Sequence, residues 1–230
     1  MLEQLKSQVC KANLDLVKEG LVIQTWGNAS GIDRARGLVV IKPSGVPYAG
    51  MRPEHMAVVS VETGEIVEGG FKASSDTPTH LVLYRAFESI GGVVHTHSLF
   101  ATAWAQAGKA LACYGTTQAD YWAGEVPCTR LLRKKEIERD YETNTGRVII
   151  ERFMKLDPMQ YPAVLVASHG PFAWGKDLAE AVHNAVVLEF VARLASETLR
   201  MNPRLRPIQA ALLNKHFLRK HGLRAYYGQR

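Results

Sequence analysis

The chain has 230 residues, 47% hydrophobic and 22% charged, an ordinary balance for a soluble globular protein. With no linker, low-complexity tract, internal repeat or membrane-length apolar run, it reads as one domain over residues 1–230 with no membrane partner, and its start reads as no signal peptide. The net charge of +6 is scattered and lacks the aromatic interleaving of a base-stacking surface, so it excludes nucleic acid as the partner and suits an anionic small molecule.

Leu2, Leu5, Val9, Ala12 and Leu16 recur at helical spacing and Gly20 follows, which predicts an amphipathic first helix with a glycine stop. Leu38-Val39-Val40-Ile41 predicts a strand ending in the turn Lys42-Pro43-Ser44-Gly45. Met56 to Val61 and Ile66-Val67 predict a pair of antiparallel strands around Glu62-Thr63-Gly64-Glu65. Ser74-Ser75-Asp76-Thr77-Pro78 opens a helix with a capping residue before a first-turn proline, and Leu81, Tyr84 and Phe87 supply its buried face. The β-branched runs at Val93-Val94 and Val164-Leu165-Val166 predict buried strands, the first followed by a helix from about Ser98 to Ala107. Asp177 and Glu180 form a capping box for a long helix through Leu199, and Pro207 begins a last helix leading into Lys215 to His221. Turn-linked strand pairs outnumber βαβ units. The expected fold is therefore α/β of the α+β kind, a central, mainly antiparallel sheet with helices on both faces. Cys10, Cys113 and Cys128 are odd in number with no C-x-x-C pairing, which indicates a reduced, cytoplasmic chain.

Histidines close both buried runs. His95 and His97 are two residues apart, and side chains at that spacing on a strand share a face. His169, arriving from another strand end, makes a third imidazole of a tetrahedral metal site, and Gly170 lets the backbone turn tightly beside it. Three neutral imidazoles leave the ion its full charge, so a carboxylate is attractive. Asp76 is the candidate, although its position before Thr77-Pro78 also suits a plain helix N-cap. Zn2+ suits imidazole with one oxygen donor, with another divalent ion such as Mn2+ as the alternative. His80, His183 and His216 read as ordinary core or surface groups. Trp26-Gly27-Asn28-Ala29-Ser30-Gly31, Lys42-Pro43-Ser44-Gly45 and Ser74-Ser75 each offer small residues, hydroxyls and backbone N–H groups near a turn or helix start, the chemistry that cradles phosphate. Around one metal they describe a phosphorylated-sugar site.

Together, Thr25-Trp26-Gly27-Asn28, Ile41-Lys42-Pro43-Ser44-Gly45, Ser74-Ser75-Asp76-Thr77-Pro78-Thr79-His80, His95-Thr96-His97 and Ser168-His169-Gly170-Pro171-Phe172 make the chain resemble the class II aldolase and adducin-head family. The likeness extends through residues 115–121 and 220–229, and within the family it more narrowly resembles the sugar-phosphate epimerases. The resemblance implies a class II aldolase-like fold with Asp76, His95, His97 and His169 as metal ligands. It implies that Gly27, Asn28, Ser44, Gly45, Ser74 and Ser75 hold a phosphorylated ketopentose, mainly by its phosphate. Asp120 and Tyr227 would be an acid/base pair reaching the metal from a neighbouring subunit of a homotetramer, so the tail from about residue 215 to 230 would complete the neighbour's site.

The implied reaction interconverts L-ribulose 5-phosphate and D-xylulose 5-phosphate. The bond between C3 and C4 breaks in a retro-aldol step, a metal-stabilised enediolate forms, and the aldehyde re-adds through its other face. L-arabinose or ascorbate breakdown would be the setting. Aldolases of the family carry glutamate where Asp76 stands, so aspartate points to the epimerase branch. Gln118 departs from the pattern, standing where a histidine is expected. A sugar-phosphate aldolase and a non-catalytic, adducin-head-like interaction module are the alternatives. Without the resemblance, Asp120 reads as a turn residue and Tyr227 as a terminal aromatic.

Overall fold

A computed structural model describes residues 2–227; Gly228 and Gln229 of the tail motif, with Met1 and Arg230, lie outside the described residues. Alternation along the strands sets the architecture. In β2 (Leu38–Ile41), Val39 and Ile41 enter one apolar cluster while Val40 enters the other. β3 (Ala57–Ser60) and β5 (Gly92–Thr96) divide in the same way, with Val58 and Val94 opposed to Val59 and Val93. β1 (Gly27–Asp33), β4 (Ile66–Glu68), β6 (Ala163–Leu165) and β7 (Pro171–Gly175) complete a seven-stranded sheet in the order β4-β3-β2-β1-β5-β7-β6. Every pairing in it is antiparallel.

Helices cover both faces, as expected. α1 (Glu3–Lys18), α3 (Leu99–Gln106) and α7 (Leu178–Met201) bury Val9, Leu16, Ala101, Leu188 and Val191 on one face. α2 (Thr77–Ala86) and α6 (Tyr141–Phe153) bury Leu83, Tyr84, Ile149 and Phe153 on the other, against Phe172 and Trp174. Each fully buried large apolar side chain contributes about 1.5–3 kcal/mol. Among the described residues no helix is long and apolar enough to cross a membrane, and all three cysteines are free.

The structure differs from expectation in the middle of the sheet. Gly27 to Gly31, read as an anion-binding turn, is most of β1, which pairs with both β2 and β5. Its small residues serve close packing, since a Cβ on Gly31 would stand 2.8 Å from Leu178 and 2.9 Å from Leu5. The Asn13 side chain of α1 exchanges hydrogen bonds with the Ala29 backbone at 2.9 and 3.0 Å, locking helix to strand. Three helices unmarked in the sequence also form: α4 (Thr116–Ala119), α5 (Lys134–Glu138) and α6. α7 starts on the Asp177 cap at 2.8 Å, but Glu180 reaches the Lys176 N–H, so the box closes one residue early. α8 (Ala210–His221) begins three residues after Pro207, and the tail beyond it is described only to Tyr227.

Candidate active site

The ends of β1, β5 and β7 meet at one corner of the sheet, beside the start of α2. Asn28 and His95 are register partners across β1 and β5. On its other side His95 stacks on Phe172 at 4.2 Å between ring centroids. Its Nδ1 lies 2.9 Å from the Pro171 carbonyl, which can only accept, so the proton sits on Nδ1 and the Nε2 lone pair is left over. His97, just past the strand and exposed, brings its Nε2 to 3.2 Å from that of His95.

His169 comes from the tight turn between β6 and β7, which closes through the Val166 N–H on the Gly170 carbonyl at 2.9 Å. The left-handed residue of this turn is Ser168 (φ 60°), not Gly170 as the sequence suggested. Gly170 is needed for close approach instead, since a Cβ there would stand 2.9 Å from the Thr96 carbonyl. The His169 ring packs at 4.8 Å from His95 and 5.3 Å from His97, and its Nδ1 meets the Tyr141 hydroxyl at 3.3 Å.

One ligand nitrogen from each of the three rings fits within 4.8 Å of the others. Ligands bound about 2.0–2.1 Å from a tetrahedral ion stand about 3.3 Å apart, which the 3.2 Å between the His95 and His97 nitrogens matches. Burial, then the neighbouring imidazoles, pushes His169 down to about 3, which keeps it neutral as a ligand must be. Asp76 occupies the N-cap position of α2 yet makes no capping bond with its side chain; its Oδ2 accepts from Asn28 Nδ2 at 2.7 Å. Burial works to raise the Asp76 carboxyl, but His95, His80 and the Asn28 bond together outweigh it and hold the group below the usual carboxylate range. Asp76 lines the same cavity without joining the three imidazoles at that spacing.

That cavity, about 350 Å³, also gathers Gly27, Asn28, Ser44, Gly45, Ser74 and Ser75, all the residues read as phosphate-holding. Two backbone bonds clip the loops together, Ser44 N–H to Lys72 O at 2.8 Å and Ser74 N–H to Lys42 O at 3.0 Å. Gly27, at φ 133°, lets the start of β1 press on β5, where a Cβ would stand 3.0 Å from the His95 carbonyl. The Asn28 Oδ1 is buried with no hydrogen-bond partner among the described residues. Sequence reasoning missed two groups of the site: one stands behind His169 and one lines the cavity. Tyr141 is one; it carries no local motif. Lys42 is the other: 2% exposed, donating to Val46 O at 2.9 Å, with its ammonium pushed down by burial. A lysine directly after a buried strand was its available signal.

Asp120 and Tyr227 do not line this cavity. Asp120 follows α4 and accepts Arg219 through both oxygens at 2.9 Å, with His216 at 3.0 Å and Lys220 at 3.7 Å. Burial raises its carboxyl, and the Arg219 and His216 bonds with Lys220 more than offset this, holding it below the usual range. Arg219 lies over the Tyr227 ring at 4.3 Å and Lys220 at 5.1 Å. His216, read as ordinary, is thus part of this cluster. Gln118 is buried and donates to Leu111 O at 3.0 Å and Gly124 O at 3.4 Å, fixing the loop under Asp120. His80 is a core group, bonded through Nδ1 to Ser30 Oγ at 2.7 Å and pushed down to about 3 by burial.

Residues 7–196 match the family model for the class II aldolase and adducin N-terminal domain. The L-ribulose-5-phosphate 4-epimerase UlaF of Salmonella typhi is 57% identical over 229 residues, covering 100% of both chains. The protein of the same name from Salmonella paratyphi C (strain RKS4594) matches equally, 57% over 229 residues and 100% of both chains. Among solved structures, YgbL from Klebsiella pneumoniae superposes with a TM-score of 0.73 at 27% identity, over 94% of this chain and 99% of that one. An L-fuculose 1-phosphate aldolase shares the fold, with a TM-score of 0.78 at 22% identity over 93% and 94% of the two chains.

Proposed function

We propose that this chain, which belongs to the class II aldolase and adducin N-terminal domain family, is a metal-dependent epimerase interconverting L-ribulose 5-phosphate and D-xylulose 5-phosphate. The observation that carries this reading is the convergence of three imidazoles, Asp76 and a phosphate cradle on one cavity, in a chain 57% identical end to end to proteins of that name. His95, His97 and His169, with Asp76 as the fourth group, would hold the ion, Zn2+ by preference and Mn2+ as the alternative. A divalent ion there supplies Lewis acidity that offsets negative charge on the cleaved ketose fragment.

The remaining chemistry belongs to the protein's own side chains. A C4 hydroxyl has no acidic proton on its carbon, so inversion proceeds by breaking and remaking the C3–C4 bond. The Ser44, Ser74 and Ser75 hydroxyls, the Gly27 and Gly45 backbone and the Lys42 ammonium hold the phosphate. The aldehyde fragment, glycolaldehyde phosphate, therefore stays bound, rotates and re-adds through its other face. Retention of this fragment separates an epimerase from an aldolase of the same fold. The buried, unpartnered Asn28 Oδ1 is free to accept a substrate hydroxyl.

The C4 oxygen must lose a proton on cleavage and regain one on re-addition, once on each face. Asp120, after α4, and Tyr227, on the tail from about residue 215, take these tasks from a neighbouring subunit of a homotetramer. Support for the second subunit is that neither residue lines the cavity of its own chain. Arg219 and His216 keep Asp120 ionised and able to accept a proton. One domain, a reducing cytoplasm for the three free thiols, and pentose breakdown from L-arabinose or ascorbate complete the reading. Incubation with L-ribulose 5-phosphate tests it. D-xylulose 5-phosphate is the expected product, abolished by chelation; free dihydroxyacetone accumulating without it would make the protein an aldolase.

A further inference from the structure

We infer that Glu189 is a positioning residue for the metal centre, fixing from α7 the turn that carries His97. Two of the three imidazoles are oriented directly, His95 by the Pro171 carbonyl and His169 by the Tyr141 hydroxyl. Among the described residues no hydrogen bond reaches His97 Nδ1, and the ring is exposed. Its position therefore depends on the backbone between β5 and α3, a connection made of His97 and Ser98 alone.

The α3 side of that connection is clamped from a distance. Ser98 stands at the N-cap, where a serine hydroxyl ordinarily accepts a first-turn N–H, but its side chain makes no capping bond. Glu189 replaces it: one oxygen accepts the Phe100 N–H at 2.8 Å and the other the Ala101 N–H at 2.9 Å. A carboxylate in this place forms two charge-assisted bonds and opposes the helix dipole. The Ser98 carbonyl then accepts the Thr102 N–H at 2.9 Å and closes the first turn. Glu189 is itself on a well-anchored element, since α7 packs on β5 and β7 and Asn184 donates to the Trp174 carbonyl at 2.8 Å. Without the carboxylate, two N–H groups lose their acceptor beside the imidazole whose Nδ1 takes no bond among the described residues.

This inference rests on the metal-centre reading, and the test separates the two. Zn2+ affinity is measured by competition with a chromophoric chelator for the wild type, Glu189→Gln and Glu189→Ala, with melting temperatures recorded with and without Zn2+. Glu189→Gln keeps the shape but sets an amide N–H against a backbone N–H; Glu189→Ala removes both acceptors. The expected result is a loss of Zn2+ affinity of about tenfold or more in both variants, in the range of removed outer-shell partners, and a smaller Zn2+-induced rise in melting temperature. A smaller affinity change, with melting lowered equally with and without Zn2+, makes the cap purely structural and overturns the proposal. A wild type that takes up no Zn2+ removes the metal-centre reading, and this inference falls with it.

Discussion

The three histidines stand at strand ends and in a tight turn, ordered by backbone, by a stacked phenylalanine and by single hydrogen bonds to a carbonyl and a phenol. Asp120 stands after a one-turn helix and is ordered by charge, through Arg219, His216 and Lys220 of α8. The first region is a receptacle of packed imidazoles, set by the ends of the sheet and, at His97, by the start of α3. The second is an ion-paired surface cluster that responds to pH and salt. A metal demands the first kind of order and proton transfer tolerates the second, so the two regions should fail in different ways.

The largest effect separates them at once. His95→Ala should remove Zn2+ uptake and turnover together; losing Lewis acidity worth several kcal/mol lowers the rate about 10³-fold or more. Metal content by elemental analysis alongside the product assay checks this. Asp120→Asn and Tyr227→Phe should each lower turnover by about 10²–10⁴-fold while leaving Zn2+ content at the wild-type level. Lost zinc in either variant would break the division.

Arg219→Met sharpens the comparison further. It leaves Asp120 with fewer donors, so the carboxyl moves back toward its usual range and the docking of α8 weakens, read as a lower midpoint in chemical denaturation with zinc unchanged. The smallest effect is that of pH on the same contact. Because the folded Asp120 is held below its unfolded value of about 3.9, its stabilisation is fully present above that value and fades as pH falls through the folded one. The stability gap between wild type and Asp120→Asn should therefore be open at neutral pH and close below about pH 4; a gap constant with pH would mean that the ion pairs contribute nothing.

The two regions were also unequally legible in the sequence. The histidine pocket follows from short-range chemistry: His95-x-His97 at a strand end and small polar residues at turns and helix starts. The periodic elements α1, β2, α2 and α7 were readable for the same reason. β1 was not, because Gly27 to Asp33 has neither alternation nor bulk, and its strand character comes from Asn13 of α1 and from room for Leu5 and Leu178. Tyr141 and Glu189 each act on a partner far along the chain that no local spacing marks, whereas Lys42 bonds the nearby Pro43 and Val46 carbonyls and only its place after a buried strand marks it. Asp120 and Tyr227 stood out only by family resemblance, since their partners lie on α8. Asp76 was ambiguous between cap and ligand; its side chain makes no capping bond among the described residues and lines the cavity, outside the three-imidazole cluster.

The central claim is that the fixed half and the ion-paired half of one site come from neighbouring subunits. Co-expression of His97→Ala with Asp120→Asn, purified through different tags as mixed assemblies, tests this most directly. With random mixing about a quarter of the sites combine an intact metal half with an intact acid/base half, so activity should return to about a quarter of wild type although each parent is inactive. Mixed assemblies no more active than their parents would contradict the account.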